Sequence, residues 1–344
     1  MILLGLCVYF ISENLSNYWQ WNVVTDVRTK NNDTLTFPAV TICLFRNLTQ
    51  ETFEAYNLND EILAYCSFNG QRCKVEDFEV IPTWHSKNRF RDEINCYKIN
   101  GGKDSLGNFQ KLLKTTSLEQ GNELRLVMNM TIDTYILYQI DHNSYNPTGA
   151  ELKFLVPNLF VDTTIKKTID EKLPEPYNLC RNIEFIKTFD SELVKGTIQK
   201  HETYRQVNCY DLCYQKYLES LAASRNISLL EAFHNTSDFN RNNKCDHSCP
   251  LECDSIYFDI FSVERTLSDQ DFDYYKKQYL NNSNGYKKEN MLVVKMKYDT
   301  MSYTHMTQTA KMSFADLISN IGGVLGVFLE TSFFSIYRTL ERLI

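Results

Sequence analysis

The sequence predicts an α+β fold in which two apolar helical ends flank a large cysteine-rich body. Three observations carry that expectation. The apolar residues concentrate at Met1–Ile11 and after Ser313. Stretches rich in β-branched and aromatic residues alternate in the middle with stretches of helical character. Ten of the 11 cysteines lie in that middle region. A chain of 344 residues is long enough for two or more domains. With 12 Gly and 7 Pro beside 21 Phe and 21 Tyr, it is neither disordered nor collagen-like. A formal net charge of -7 argues against a nucleic-acid partner, which selects a basic face. The mean hydropathy of -0.37 excludes a polytopic bundle and leaves room for one or two spans.

The elements follow in chain order. Met1–Ile11 is shorter than the ~20 apolar residues a span needs. It reads either as a signal-peptide core without the usual basic flank, or as a first membrane helix over residues 1–17 whose beginning is not in this chain. Residues 18–313 form the body. Leu124–Ile140, Ser255–Val263 and Met291–Met306 have strand character, the last alternating through Val294, Met296 and Tyr298. Glu51–Tyr65, Tyr204–Ser224 and Ser268–Leu280 have helical character, and Ser268 is placed to cap the third. Residues 314–340 are long enough to span a bilayer, although Asp316, Ser319, Asn320, Gly322, Gly323, Gly326, Glu330 and Ser332 interrupt them. A soluble amphipathic helix or a removable lipid-anchor tail is the plainer reading. Two carboxylates and three glycines fit such a tail poorly, and Arg338 and Arg342 suit a cytoplasmic flank, with 341–344 as a cytoplasmic end.

An even number of body cysteines reads as a disulfide framework in an oxidising compartment. Seven Asn-X-Ser/Thr sequons, at Asn14, Asn32, Asn47, Asn129, Asn226, Asn235 and Asn281, favour an extracellular body. Zinc is the competing use of the cysteines, since His247 sits between Cys245 and Cys249, but the Cys-x3-Cys spacings are loose for it. Cys209 and Cys213 share a helical face, as do Cys245 and Cys249. The simplest antiparallel packing joins Cys209 to Cys249 and Cys213 to Cys245, leaving Cys180 for Cys253. Cys66 and Cys73 bracket a turn at Asn69-Gly70, and Cys43 remains for Cys96. Spacing alone does not fix this connectivity.

Asp316, Ser319, Gly323, Gly326 and Glu330 follow a 3/4 spacing and fall on one stripe of a helix. The two carboxylates are about 21 Å apart along it at ~1.5 Å per residue. Carboxylates inside a membrane face water or a bundle interior, because lipid would cost several kcal/mol. Copies around a symmetry axis would turn the stripes into acidic rings that select cations. Alternatively, Glu330 pairs with a basic group on a neighbouring helix. No Gly-x-Ser-x-Gly, phosphate-binding glycine loop or His-Glu-x-x-His is present, so the chain is not expected to be an enzyme. No cofactor or metal is expected either. The acidic runs at Asp269–Asp273 and Asp92-Glu93 read as solvated faces.

Phe37-Pro38-Ala39-Val40-Thr41-Ile42-Cys43, Ile321-Gly322-Gly323-Val324-Leu325-Gly326-Val327-Phe328-Leu329, and Cys245-x3-Cys249-Pro250-Leu251-Glu252-Cys253 with Ser255 and Tyr257 occur in order across nearly the whole chain. In this the sequence resembles the degenerin/epithelial sodium channel/acid-sensing ion channel superfamily. The resemblance implies a plasma-membrane protein with two spans per subunit and both termini cytoplasmic. It implies a hand-shaped ectodomain with a β-sheet palm, a helical finger at about 44–95 and a helical thumb at about 177–285. Sodium ions, related subunits in a homo- or hetero-trimer and the lipid bilayer are the implied partners. The implied disulfides coincide with the packing solution above. Tyr18 and Tyr177 fall where the family couples thumb to wrist by aromatic contact, and Ser319 where bulky replacements hold degenerin-type channels open. Asp316, Ser319, Gly323 and Gly326 would line the pore. The family's Gly-x-Ser selectivity sequence reads Glu330-Thr331-Ser332 here, where three glutamates would repel one another and raise their pKa values. The expected function is a sodium-permeable, amiloride-sensitive type of channel subunit gated through its extracellular domain. The alternative is a non-conducting, membrane-anchored cysteine-rich receptor or partner subunit.

Overall fold

A computed structural model describes residues 2–49, 52–55, 57–84, 94–119, 121–131, 133–142, 153–201, 204–225, 245–280, 285–329 and 341–342. Helix α1 (Ile2–Trp19) opens the chain. Among the described residues, helix α6 (Phe314–Leu329) follows the long strand Met291–Ala310. Among the described residues no helix is long and apolar enough to cross a membrane.

The body is built on two sheets. In the seven-stranded one the order is Asp254–Thr266, Leu159–Glu171, Met291–Ala310, Leu124–Asn129, Tyr65–Phe68 and Gln71–Arg72. Val23–Asn31 also pairs with Met291–Ala310, antiparallel from Val23 opposite Ala310 to Asn31 opposite Ser302. The strand leaving α1 therefore lies against the strand entering α6. Lys311 N donates to Asn22 O at 2.9 Å just beyond that ladder. This closure brings the two terminal helices side by side, with Phe10 stacked on Phe328 at 5.7 Å.

The six-stranded sheet runs Lys153–Leu155, Thr134–Asp141, Ala39–Thr49, Ile94–Ile99 and Phe78–Trp84, with Thr52–Ala55 also paired to Ala39–Thr49. A shared core joins the sheets, including Phe37, Ile42, Leu44, Leu126, Ile136, Tyr138, Val161, Leu292 and Met296, all nearly solvent-free. Alternation places these side chains on the faces that meet. Burial of the Tyr138 and Tyr298 rings pushes both phenols' pKa values up.

A helical lobe lies outside the sheets: α2 (Ile183–Thr188), α3 (Glu192–His201) and α4 (Gln206–Arg225). Its core is Ile186, Val194, Tyr204, Cys209 and Cys249. A Cβ at Gly196 would lie 3.0 Å from Leu212 Cδ2, so a larger residue there would need that leucine to give by a few tenths of an ångström where α3 meets α4. Helix α5 (Asp269–Tyr279) opens with Ser268, whose hydroxyl accepts from Asp271 N while Asp271 bonds back, a capping box. Arg265 reinforces that carboxylate and holds its pKa well below the usual range.

Two expectations need correction. Glu51–Tyr65 is not a helix. Asn59 Oδ1 takes the Glu61 and Ile62 amides in a turn, and Leu58, Ile62 and Leu63 bury from there. A side chain that caps a turn competes with helix formation. More broadly, the described part of 44–95, expected to be a helical finger, contains strands and one 3-10 turn at Val75–Asp77. Tyr65–Phe68 pairs with the start of Leu124–Asn129 in one sheet, and Phe78–Trp84 pairs with Ile94–Ile99 in the other. The run Leu124–Ile140 is also two strands, in different sheets, broken where Thr134 N bonds Thr131 O.

Candidate functional site

Five disulfides tie the body: Cys43–Cys96, Cys66–Cys73, Cys180–Cys253, Cys209–Cys249 and Cys213–Cys245. Cys43 and Cys96 face each other across adjacent strands. Cys66 and Cys73 close the Asn69-Gly70 hairpin, where both residues take positive φ. The last two pairs are rungs joining α4 to the 245–249 segment. With Cys245 and Cys249 oxidised, the zinc alternative has no thiolates to use. Cys7 is free and buried in α1.

The Tyr18–Tyr177 contact takes a form the sequence did not suggest, because Trp21 stands between them. Tyr18 meets Trp21 at 5.2 Å, and Trp21 meets Tyr177 edge-to-face at 5.5 Å. Trp21 has φ 52°, a left-handed backbone that a bulky residue adopts only under constraint. Its amide donates to Tyr18 O, which turns the chain out of α1 and aims the indole at Tyr177.

Tyr177 sits in the 173–178 loop at the base of the helical lobe. Gln308 anchors that loop, its Oε1 accepting from Asn178 Nδ2 at 2.8 Å and from Leu173 N at 3.3 Å. Asn178 Nδ2 also donates to Leu173 O, and Arg181 pairs with Glu175. Gln308 lies in the strand that runs into α6 and is opposite Thr25 of the strand leaving α1. The base of the lobe thus touches the turn that follows α1 through rings and the strand that leads into α6 through an amide. The aromatic-rich run Tyr18-Trp19-Gln20-Trp21 carried a signal for Trp21. Gln308 looked like any alternating strand residue and carried none.

On α6, Leu317 is buried and Ile321, Val324 and Phe328 are half-buried, a row that faces α1. Asp316, Ser319, Gly323 and Gly326 form another row, exposed and roughly opposite. A side chain at Gly323 or Gly326 would meet nothing within 4 Å. Asp316 also caps the helix, since Oδ2 accepts from Ser313 N at 2.9 Å and Ser313 Oγ at 2.7 Å. Glu330, Thr331 and Ser332 lie outside the described residues, as do Asn226, Asn235 and Asn281. Of the other sequons, Asn32 is exposed and Asn129 half-buried on a core strand. Asn47 falls in the Ala39–Thr49 strand. Asn14 lies within α1 with its amide bonded to Phe10 O.

The disulfide-stapled, two-sheet body, with paired strands that lead into adjacent helices, fits the extracellular domain of the channel family whose model matches the chain. The family model described as amiloride-sensitive sodium channel matches residues 1–60 and 44–341. The chain belongs to that family, whose members are channels and not enzymes. It is 25% identical over 338 residues to acid-sensing ion channel 1 of Gallus gallus, covering 86% of this chain and 59% of that one. It is 23% identical over 420 residues to acid-sensing ion channel 2 of Homo sapiens, covering 98% and 78%. It is 22% identical over 406 residues to acid-sensing ion channel 4-B of Danio rerio, covering 99% and 69%. A solved structure of a proton-activated chloride channel aligns over 100% of this chain at a TM-score of 0.38 and 9% identity, too distant to carry an argument.

Proposed function

We propose that the chain is a subunit of a sodium-permeable channel, assembled as a trimer with copies of itself or with related subunits. Residues 1–17 and 314–340 would lie in the plasma membrane and the body outside the cell. The observation that carries this reading is the polar, glycine-bearing row on α6, turned away from the row that packs on α1. One helix cannot enclose water; three can, and Asp316 and Glu330 would then sit at two depths of a cation path.

Gating follows from the lobe base. Movement of the helical lobe, taken in this reading as the counterpart of the family's thumb, would displace Tyr177. Trp21 would pass the displacement to α1 and Gln308 would pass it to the strand before α6. A ligand or stimulus shifts the gate only by its differential affinity for the two states.

Recordings from cells expressing the full chain test the reading. Sodium current whose selectivity changes on Glu330→Gly supports it. Silence of parent and variant at normal surface expression favours a non-conducting partner subunit, the reading that Glu330 in place of the family's glycine keeps open.

A further inference from the structure

The residue immediately before α4, Arg205, carries a contact that leaves the helical lobe. Arg205 Nη1 donates to Asp141 Oδ2 at 2.6 Å. Asp141 ends the Thr134–Asp141 strand of the six-stranded sheet, so this bond joins lobe to sheet across a separation of 64 residues. Both side chains are largely enclosed, at 17% and 10% exposure. The carboxylate is also held by its own strand: Oδ1 accepts from His142 N at 2.7 Å and Oδ2 from Gln139 Nε2 at 3.2 Å. Asp141 is therefore a fixed socket and Arg205 the arm that enters it.

Among the described residues, the anchors on either side, at Tyr204 and Gln206, lead elsewhere. Tyr204 OH donates to Pro250 O at 2.6 Å, and Gln206 N donates to Glu252 Oε2 at 2.9 Å. Both tie α4 to the segment that the disulfide rungs already hold. The base loop is fastened separately, at Gln308.

We propose that Arg205 is a positioning residue: its bond to Asp141 sets the angle at which the helical lobe leaves the sheets, and hence where Tyr177 stands against Trp21. An enclosed ion pair suits this task. Partial separation leaves two charges poorly solvated, so the contact is either made or fully broken and wetted. That gives the lobe two discrete seats. Cys180–Cys253 stays closed in both and acts as the tether about which the lobe turns.

The consequence for current rests on the channel reading, but the seat itself can be tested without it. Hydrogen exchange is measured on the purified full chain in detergent, comparing parent, Arg205→Met, Asp141→Asn and Arg205→Lys. Loss of the pair should speed exchange in α4 and the 173–178 loop by about tenfold or more, while the strands Leu124–Asn129 and Met291–Tyr298 stay unchanged. Arg205→Lys, which keeps the charge, should restore most of the protection. If Arg205→Met does not accumulate, Asp141→Asn, which keeps the side chain's shape, must produce the same local pattern. Unchanged exchange in α4, or equal acceleration in the core strands, overturns the proposal. Absence of sodium current in every variant would count against the channel reading and leave the exchange result standing.

Discussion

Acidification should weaken the fold through His142. Burial, then the charges of Lys167 and Arg205, hold its imidazole's pKa down to about 4 from the usual 6.5. Between these values the unfolded chain binds a proton at this residue and the folded chain does not. Stability from this group is therefore complete above pH 6.5, falls as pH drops toward 4, and changes no further below that. At ~1.4 kcal/mol per pH unit, the loss is about 3 kcal/mol. Carboxylates titrate in the same range, so the difference between parent and His142→Gln isolates the effect. Thermal unfolding of both proteins at neutral pH and near pH 4 measures it. The parent should lose about 3 kcal/mol more than the variant over that interval. Equal losses would refute the reasoning, and a larger loss in the variant would reverse its sign.

Trp21→Ala should leave the disulfides and surface expression intact while abolishing the response of current to its stimulus, because two aromatic contacts worth about 1 kcal/mol each are the ring link to α1; patch recordings beside surface biotinylation check this. Removing either Cys209–Cys249 or Cys213–Cys245 should cost about 2–3 kcal/mol, since the remaining rung still closes the segment. Removing both should cost more than the sum, because a segment of 40 residues then opens, and denaturant titration of the single and double variants reads the difference. Asn100→Ala should destabilise by about 2–4 kcal/mol, also by denaturant titration. It removes bonds to Phe37 O and Leu113 N, and it places alanine at φ 63°.

How much of this was legible depended on the range of the interactions involved. The cysteine spacings, the Ser268 cap and the row on α6 are local patterns that one helical turn determines, and they could be read directly. The strand character of Met291–Met306 was visible too, because alternation is a two-residue signal. Glu51–Tyr65 was misread because Asn59 captures the Glu61 and Ile62 amides for a turn, a side-chain to backbone competition that residue type alone does not reveal. Sheet order was not readable: nothing local tells Val23–Asn31 to pair with residues 302–310, although that pairing sets α1 beside α6. Trp21 was hidden behind two tyrosines that matched the family pattern. Gln308 and Arg205 act through partners 130 and 64 residues away, a separation that no periodicity reports.

The central claim is that the Asp316–Ser319–Gly323–Gly326 row borders water in the assembled protein. Cysteines placed singly at those four positions and at Leu317, Ile321 and Val324 can be probed with a charged, membrane-impermeant thiol reagent during sodium current recording. The account predicts that reagent modifies the first set and alters current, while the second set, packed on α1, stays unreactive. Reaction confined to the second set, or current indifferent to modification of the first, would contradict it.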